Sequence, residues 1–384
     1  MFLLTDDQIE LKRALRAFVR EEIAPVAAKL DESGAFPSEL MRAIAKQGYF
    51  GVSVPQALGG AGGSLIDSAI VIEELSCGLG SLGLSLCGHM LHCCYALCDA
   101  VSASQKLEWL IPAVRGEMLL ALALTEASGG CDALSIDTTV SRIESGWVLN
   151  GTKSFVTNAG VSDGYLVAAK TDRNGKSRNL GLFYVRADTP GLRLVRQHPL
   201  LGFQNTPVGA VEFDGCVLPP DARIGGENEG YRILQHMLNC GRMGLSAVSI
   251  GLAQAALKCS IRYSQGRGQM GRTISTYQGV TFPIADMYTG ISAARAMLYH
   301  VASRIEIGCS ATEEAAALKV YSTEVCRKSC QEAALLHGGM GMVKPSVTER
   351  LLRDCQSLSV AGGTTQICKT VIANGLYEAA VEDF

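Results

Sequence analysis

Trp147-Val-Leu-Asn-Gly-Thr-Lys-Ser-Phe-Val-Thr157 marks the place where the chain stops reading as helix. Here, and again in Tyr165-Leu-Val-Ala-Ala169 and Leu182-Phe-Tyr-Val185, short apolar runs alternate with turn-forming pairs, Asn150-Gly151 and Asn174-Gly175. That is the pattern of antiparallel strands joined by tight turns. From Thr5 to about Met118 the spacing is different. Apolar residues such as Ile9, Leu11, Leu15, Phe18 and Val19 recur at the helical period. One interruption, Val52-Ser-Val-Pro55 followed by Gly59-Gly-Ala-Gly-Gly63, lacks the strand–turn–helix order of a nucleotide-binding glycine loop and reads as plain loop. After Gly225-Gly226 the helical period returns over 228–265, 276–307, 312–337 and 346–380, lengths that suit a four-helix bundle. The expected fold class is α+β: an N-terminal α-helical domain (1–118), a middle antiparallel β domain (119–225) and a C-terminal four-helix bundle (226–384).

Composition narrows the function. A chain of 384 residues with 48% hydrophobic and 18% charged residues has ample apolar surface to collapse into two or three domains. A net charge of −3 with no basic block removes the electrostatic footprint of a nucleic-acid binder. Fourteen cysteines, none in C-x-x-C spacing, follow a start that lacks the basic and then apolar run of a signal peptide, which points to a reducing cytoplasm and to thiols used as small buried residues. Leu75 to Cys98 carries no Asp, Glu, Lys or Arg and could span a bilayer, but its four glycines, three serines and two histidines read as a buried helix, so no membrane is expected. Small molecules are the expected partners.

Two motifs carry less than they promise. Gly160-Val-Ser-Asp-Gly164 has the spacing of a nucleophile elbow, yet a strand follows where a helix is required, so it reads as a hairpin turn. His89, His92 and Cys93 lie close to one helix face, but nothing elsewhere completes a ligand set; no metal is expected, and the histidines read as packed or cavity-lining.

Leu124-Thr-Glu126, Gly129-Gly-Cys-Asp132 and Asn150-Gly-Thr-Lys-Ser-Phe-Val-Thr-Asn-Ala159 together resemble the acyl-CoA dehydrogenase family. Arg267-x-x-Met-Gly271, Gln278, Ile284-Ala-Asp-Met287, His337-Gly-Gly-Met-Gly341, Arg353-Asp354 and Gly363-Thr-Thr-Gln366 extend the likeness to the end of the chain. The resemblance implies one FAD per subunit, an acyl thioester of coenzyme A or a carrier protein as substrate, an electron acceptor, and a homotetramer whose neighbouring subunits complete each flavin site. It assigns Thr125, Phe155 and Thr157 to the flavin ring, with Phe155 standing where a tryptophan is usual. Arg267, Met270, Gln278, Gly338, Gly339, Thr364 and Gln366 go to the rest of the cofactor, and Cys131 and Arg242 to the substrate. A guanidinium suits a pyrophosphate because its planar fork donates bidentately, and a strand hydroxyl suits a flavin edge. Outside these motifs, a threonine in a strand reflects β propensity alone.

The likeness breaks at the base. Family members take the substrate's α-proton with a glutamate directly preceding Gly-Thr-Ser-Gln, or with one on an earlier helix just before an arginine. Those positions match Gly362 and Gly241, neither of which has a side chain to accept a proton. The Gly362 N–H can still polarise a thioester carbonyl. Three accounts follow: a substitute base, with His89 and His92 as candidates; chemistry that needs no protein base, such as loss of a β-substituent or carboxylate, or monooxygenation; and a flavin-binding protein without turnover.

Overall fold

The computed structural model describes residues 4–130, 132, 135–171 and 180–382. Its N-terminal part holds helices α1 (Asp6–Phe18), α2 (Ala27–Ser33), α3 (Ser38–Lys46), α4 (Leu65–Gly78), α5 (Gly80–Cys87), α6 (Ala103–Gln105) and α7 (Ile111–Val114). Capping boxes start α1 and α4: Thr5 exchanges hydrogen bonds with Gln8, and Ser64 with Asp67, so donors left over in the first turn are satisfied. The charge-poor segment from Leu75 to Cys98 is indeed buried, though not as one straight helix. Extended backbone at Leu79 separates α4 from α5, and α5 then widens into a π-type turn over Gly88–Cys94 that carries His89 and His92. Such single wide turns often re-aim side chains at functional sites.

The middle part is a sheet of β1 (Leu120–Ala123), β2 (Thr139–Ile143), β3 (Gly146–Thr157), β4 (Gly164–Lys170), β5 (Leu180–Arg186), β6 (Leu192–Gln197), β7 (Val208–Leu218) and β8 (Arg223–Ile224), in spatial order β6-β7-β3-β2-β4-β5-β8. It is mixed, not purely antiparallel as the turn pairs suggest, because β1 runs parallel to β4, with Leu120 opposite Gly164 and Ala123 opposite Val167. β1 enters directly from the helical domain and reaches β4 without a hairpin, so no local turn motif announces it. Asn150-Gly151 is likewise not a turn. It lies inside β3 at a register shift, where a Cβ on Gly151 would stand 2.4 Å from Thr138 Oγ1; the turn is Glu144-Ser145. Asn174-Gly175 lies outside the described residues. Gly160–Gly164 turns the chain as expected, but it links β3 to β4, which are not paired with each other.

Helices α8 (Gly230–Gly266), α9 (Gln278–Glu306), α10 (Thr312–Leu336), α11 (Val347–Leu358) and α12 (Thr365–Glu382) form the C-terminal part. The stretch 346–380 is therefore two helices, not one. Gly362 and Gly363 adopt φ values of +65° and +95° in the break between them, a conformation that ends a helix and favours glycine. Among the described residues, α8 alone is long and apolar enough to cross a membrane, and 78% of its most apolar window is buried inside the protein. It packs against α4, α9 and α10, and one continuous core joins the helical parts. Arg353 and Asp354 fasten α11 to the rest: Arg353 pairs with Asp31 at 2.5 Å, and Asp354 Oδ1 accepts the Phe203 N–H at 2.5 Å.

Candidate active site

A cavity of about 550 Å³ opens where α5, α8, the α11–α12 break and the edges of β1 and β3 meet. His92, Thr125, Phe155, Thr157, Arg242, Gly362 and Thr364 all line it, so residues scattered from the first quarter of the chain to the last converge there. Thr125 follows β1 and Thr157 ends β3. These two segments are locked together by Ser154, whose N–H donates to Thr125 O at 2.7 Å, and by a buried ion pair between Lys153 Nζ and Glu126 Oε1 at 2.6 Å. Burial would raise the Glu126 carboxyl, but hydrogen bonds from Lys153, Thr138 and the Asp137 backbone reverse this and hold it below the usual carboxylate range. Burial pulls the Lys153 ammonium down to about 8.

A second register shift in β3, between Lys153 and Val156, turns Phe155 outward at φ +52°. Its ring is 61% exposed and stacks on His198 at a centroid distance of 4.6 Å, leaving an aromatic face at the cavity wall. An aromatic face flanked by threonine hydroxyls fits the planar, polar-edged ring of a flavin.

The two histidines have different surroundings. His89 is fully buried and saturated: Nδ1 accepts the Leu120 N–H at 3.1 Å and Nε2 donates to Ala113 O at 3.0 Å. It does not line the cavity; it joins the π-type turn to β1. His92 is only partly buried and forms part of the cavity wall. Burial lowers its pKa to about 4; a hydrogen bond with the Cys87 backbone opposes this, and the Arg242 charge adds a smaller downward push. Its Nδ1 is buried without a well-formed hydrogen bond. The ring stands over Gly241, where a Cβ would lie 1.8 Å from His92 Nε2.

Gly362 faces Leu245, whose Cδ1 would lie 2.4 Å from a Cβ at that position. The Gly362 N–H meets no acceptor among the described residues. Lys319, absent from the sequence reading, holds this loop. Its buried ammonium donates to Ser359 O at 3.0 Å and Gly363 O at 2.8 Å, closing the end of α11 and fixing the carbonyl next to Gly362. The available signal was a lone lysine in the apolar run Ala315-Ala-Ala-Leu-Lys-Val320.

The other assigned residues lie elsewhere. Arg267, Met270 and Gln278 sit on the exposed hairpin after α8 and the first turn of α9, and Gly338 and Gly339 on the exposed turn after α10. A stack of Tyr263 on His337, with centroids 4.2 Å apart, brings these two surface segments to the same end of the bundle. Gln366 is exposed on the first turn of α12, and Cys131 lies outside the described residues.

A helical domain, a mixed sheet and a helical bundle around a cavity with these edges define a flavoprotein oxidoreductase. The chain belongs to the acyl-CoA dehydrogenase family: it matches the family's N-terminal domain over residues 5–117, its middle domain over 121–216 and its C-terminal domain over 228–377. It is 32% identical over 373 residues to an acyl-CoA dehydrogenase of Bacillus subtilis, covering 97% of this chain and 98% of that one. Among solved structures it superposes on butyryl-CoA dehydrogenase from Megasphaera elsdenii with a TM-score of 0.95, 28% identity, and coverage of 98% and 100%. The FAD complex of PigA gives a TM-score of 0.92 at 28% identity, with coverage of 98% and 99%. FAD is the cofactor.

Proposed function

We propose that this protein oxidises an acyl thioester with His92, and not a glutamate, taking the α-proton. The observation that carries this is the placement of His92 Nε2 in the volume where a side chain at Gly241 would begin. Bound FAD supplies the hydride acceptor for the β-carbon. The Gly362 N–H, free of other acceptors, polarises the thioester carbonyl and stabilises the negative charge that develops as the α-proton leaves. His92 is neutral at pH 7 and receives that proton on Nε2; the product is the α,β-unsaturated thioester. Thr125 and Thr157 hold the flavin edge and Phe155 its face. Leu84, Leu238 and Leu245 line the acyl end and exclude water.

The hairpin carrying Arg267, Met270 and Gln278, together with Gly338 and Gly339, serves the FAD of a neighbouring subunit in a homotetramer. Their exposure, and their absence from the lining of this chain's own cavity, support that arrangement. Thr364 caps α12 through the Ile367 N–H and faces the cavity, while Gln366 serves the cofactor from the same turn. An electron acceptor and a cytoplasmic setting complete the reading.

The test is anaerobic mixing of the FAD-loaded protein with saturated acyl thioesters. Bleaching of the flavin that His92→Gln abolishes, with FAD content intact, is the expected result. Bleaching that survives this change means that another group takes the α-proton, and no bleaching by any saturated thioester leaves base-free chemistry or a binding protein.

A further inference from the structure

The cavity wall carries a thiol that proton and hydride transfer do not use. Cys87 closes α5, and the π-type turn after it bonds residues five apart, which brings His92 onto the same face as Cys87. Leu84, Cys87 and His92 all line the cavity, and among the described residues no other cysteine does. Both polar side chains press into α8 where it has none of its own. A Cβ at Gly244 would stand 2.5 Å from Cys87 Sγ, as one at Gly241 would stand 1.8 Å from His92 Nε2, and glycines three apart are neighbours on a helix surface. The thiol donates one weak hydrogen bond, to Gly241 O at 3.7 Å, which leaves the sulfur lone pairs unengaged. Burial pushes this thiol up to about 12, so it keeps its proton until a proton acceptor and an electrophile stand beside it. The cavity is built for a polar ligand independently of the thiol: Arg242, 6% exposed, lines it with Nε buried and unpartnered.

We propose that Cys87 is a covalent attachment site for α,β-unsaturated acyl thioesters. This rests on the reading of the cavity as an acyl-thioester site with His92 at the α-carbon. Leu84 marks the acyl end, and Cys87 lies between Leu84 and His92 along the helix face, so the sulfur meets the β-carbon on the side from which the α-proton is taken. A sulfur electron pair forms the S–Cβ bond, and the π pair of the double bond moves onto the thioester oxygen as an enolate, which the Gly362 N–H stabilises. The S–H proton passes through His92 Nε2 to the α-carbon. One thiol and one carbon–carbon double bond are consumed, one thioether is formed, and no electrons enter or leave. A saturated acyl chain offers no acceptor carbon and is not held. The protein therefore retains the unsaturated thioester until the addition reverses.

The experiment incubates the FAD-loaded protein with acryloyl-pantetheine, whose arm is common to coenzyme A and carrier proteins, and locates the added mass by peptide mass spectrometry. Acrylamide at the same concentration shares the electrophilic carbon but lacks the arm, and so reports ordinary thiol exposure. The expected result is one acyl-pantetheine mass on the peptide containing Cys87, absent with acrylamide and absent from Cys87→Ser. His92→Gln should slow the labelling by about 10²-fold or more, as loss of a positioned proton relay does. Labelling of Cys87 that acrylamide matches, or that His92→Gln leaves at full rate, overturns the inference, since the sulfur then acts as an ordinary exposed thiol. Labelling of another residue, Cys131 included, or of none overturns it as well. In those cases the acyl-thioester reading stands if saturated thioesters still bleach the flavin, and falls too if they do not.

Discussion

His92 and Gly241 share one volume: a Cβ at Gly241 would stand 1.8 Å from His92 Nε2, so the imidazole would have to move to admit it. In its present position the imidazole on the π-type turn occupies the space that glycine leaves open on α8. At the other position without a base, Leu245 Cδ1 presses into the space beside Gly362. Each missing side chain has a specific occupant, so the cavity is shaped around the two glycines.

A base exchange follows from this. His92→Gln should lower turnover by about 10²–10⁴-fold, the contribution of a positioned general base, with bound FAD unchanged. Gly241→Glu alone should be destabilising and inactive, because the carboxylate side chain has no room. Combined with His92→Ala it should recover part of the rate lost in His92→Ala. A double variant as slow as that single one would show that the proton is not taken in this volume.

Lys319→Met should destabilise the protein by about 1–3 kcal/mol in urea titration, since the carbonyls of Ser359 and Gly363 lose their charged donor and keep only the Thr365 N–H and a long Cys368 thiol contact. Because both flank Gly362, KM for the thioester should rise as well. An unchanged KM would separate the loop anchor from the binding of the carbonyl.

Glu126→Gln should cost about 3–5 kcal/mol, because it leaves the Lys153 ammonium, which has no exposed surface, without its counter-charge. The double change Glu126→Gln with Lys153→Met should cost less than the single one. Thermal melts of the three proteins, together with FAD content, decide the matter; strict additivity would show that the two groups do not act as a pair.

Acid should destabilise the fold through His89. Burial holds its pKa at about 4 in the native state against 6.5 when free, so between these values the unfolded chain binds a proton that the folded one refuses. Stability is complete above pH 6.5 and falls as pH drops towards 4, by roughly 3 kcal/mol from this group. His89→Gln should reduce by about one the number of protons taken up on unfolding at pH 5, whatever its effect on absolute stability. No change in that number would place the titration elsewhere.

The order of helix, sheet and helix was legible in the periodicity, because a buried face imposes its spacing over many residues: the break near Leu119 and the return near Gly226 are both strong signals. The parallel pairing of β1 with β4 was not, since a strand without a hairpin leaves no turn chemistry to read. The break at Gly362 and Gly363 was hidden by the apolar residues on either side, which continue the helical period across it. The motifs around Thr125, Thr157 and Thr364 named residues that do converge on one cavity, yet Lys319 and Leu245 carry no motif and act only through what they touch.

By itself the sequence determined the family, the kind of cofactor and the absence of a side chain at two particular positions, because these depend on which residues are present and in what order. Which of two histidines faces the cavity was decided by the tertiary structure alone. His89 and His92 are three residues apart on one wide turn, and a rotation of that turn sends one ring to the Ala113 carbonyl and the Leu120 N–H and the other to the space over Gly241. Local spacing cannot distinguish them; only the elements packed on either side of the turn can.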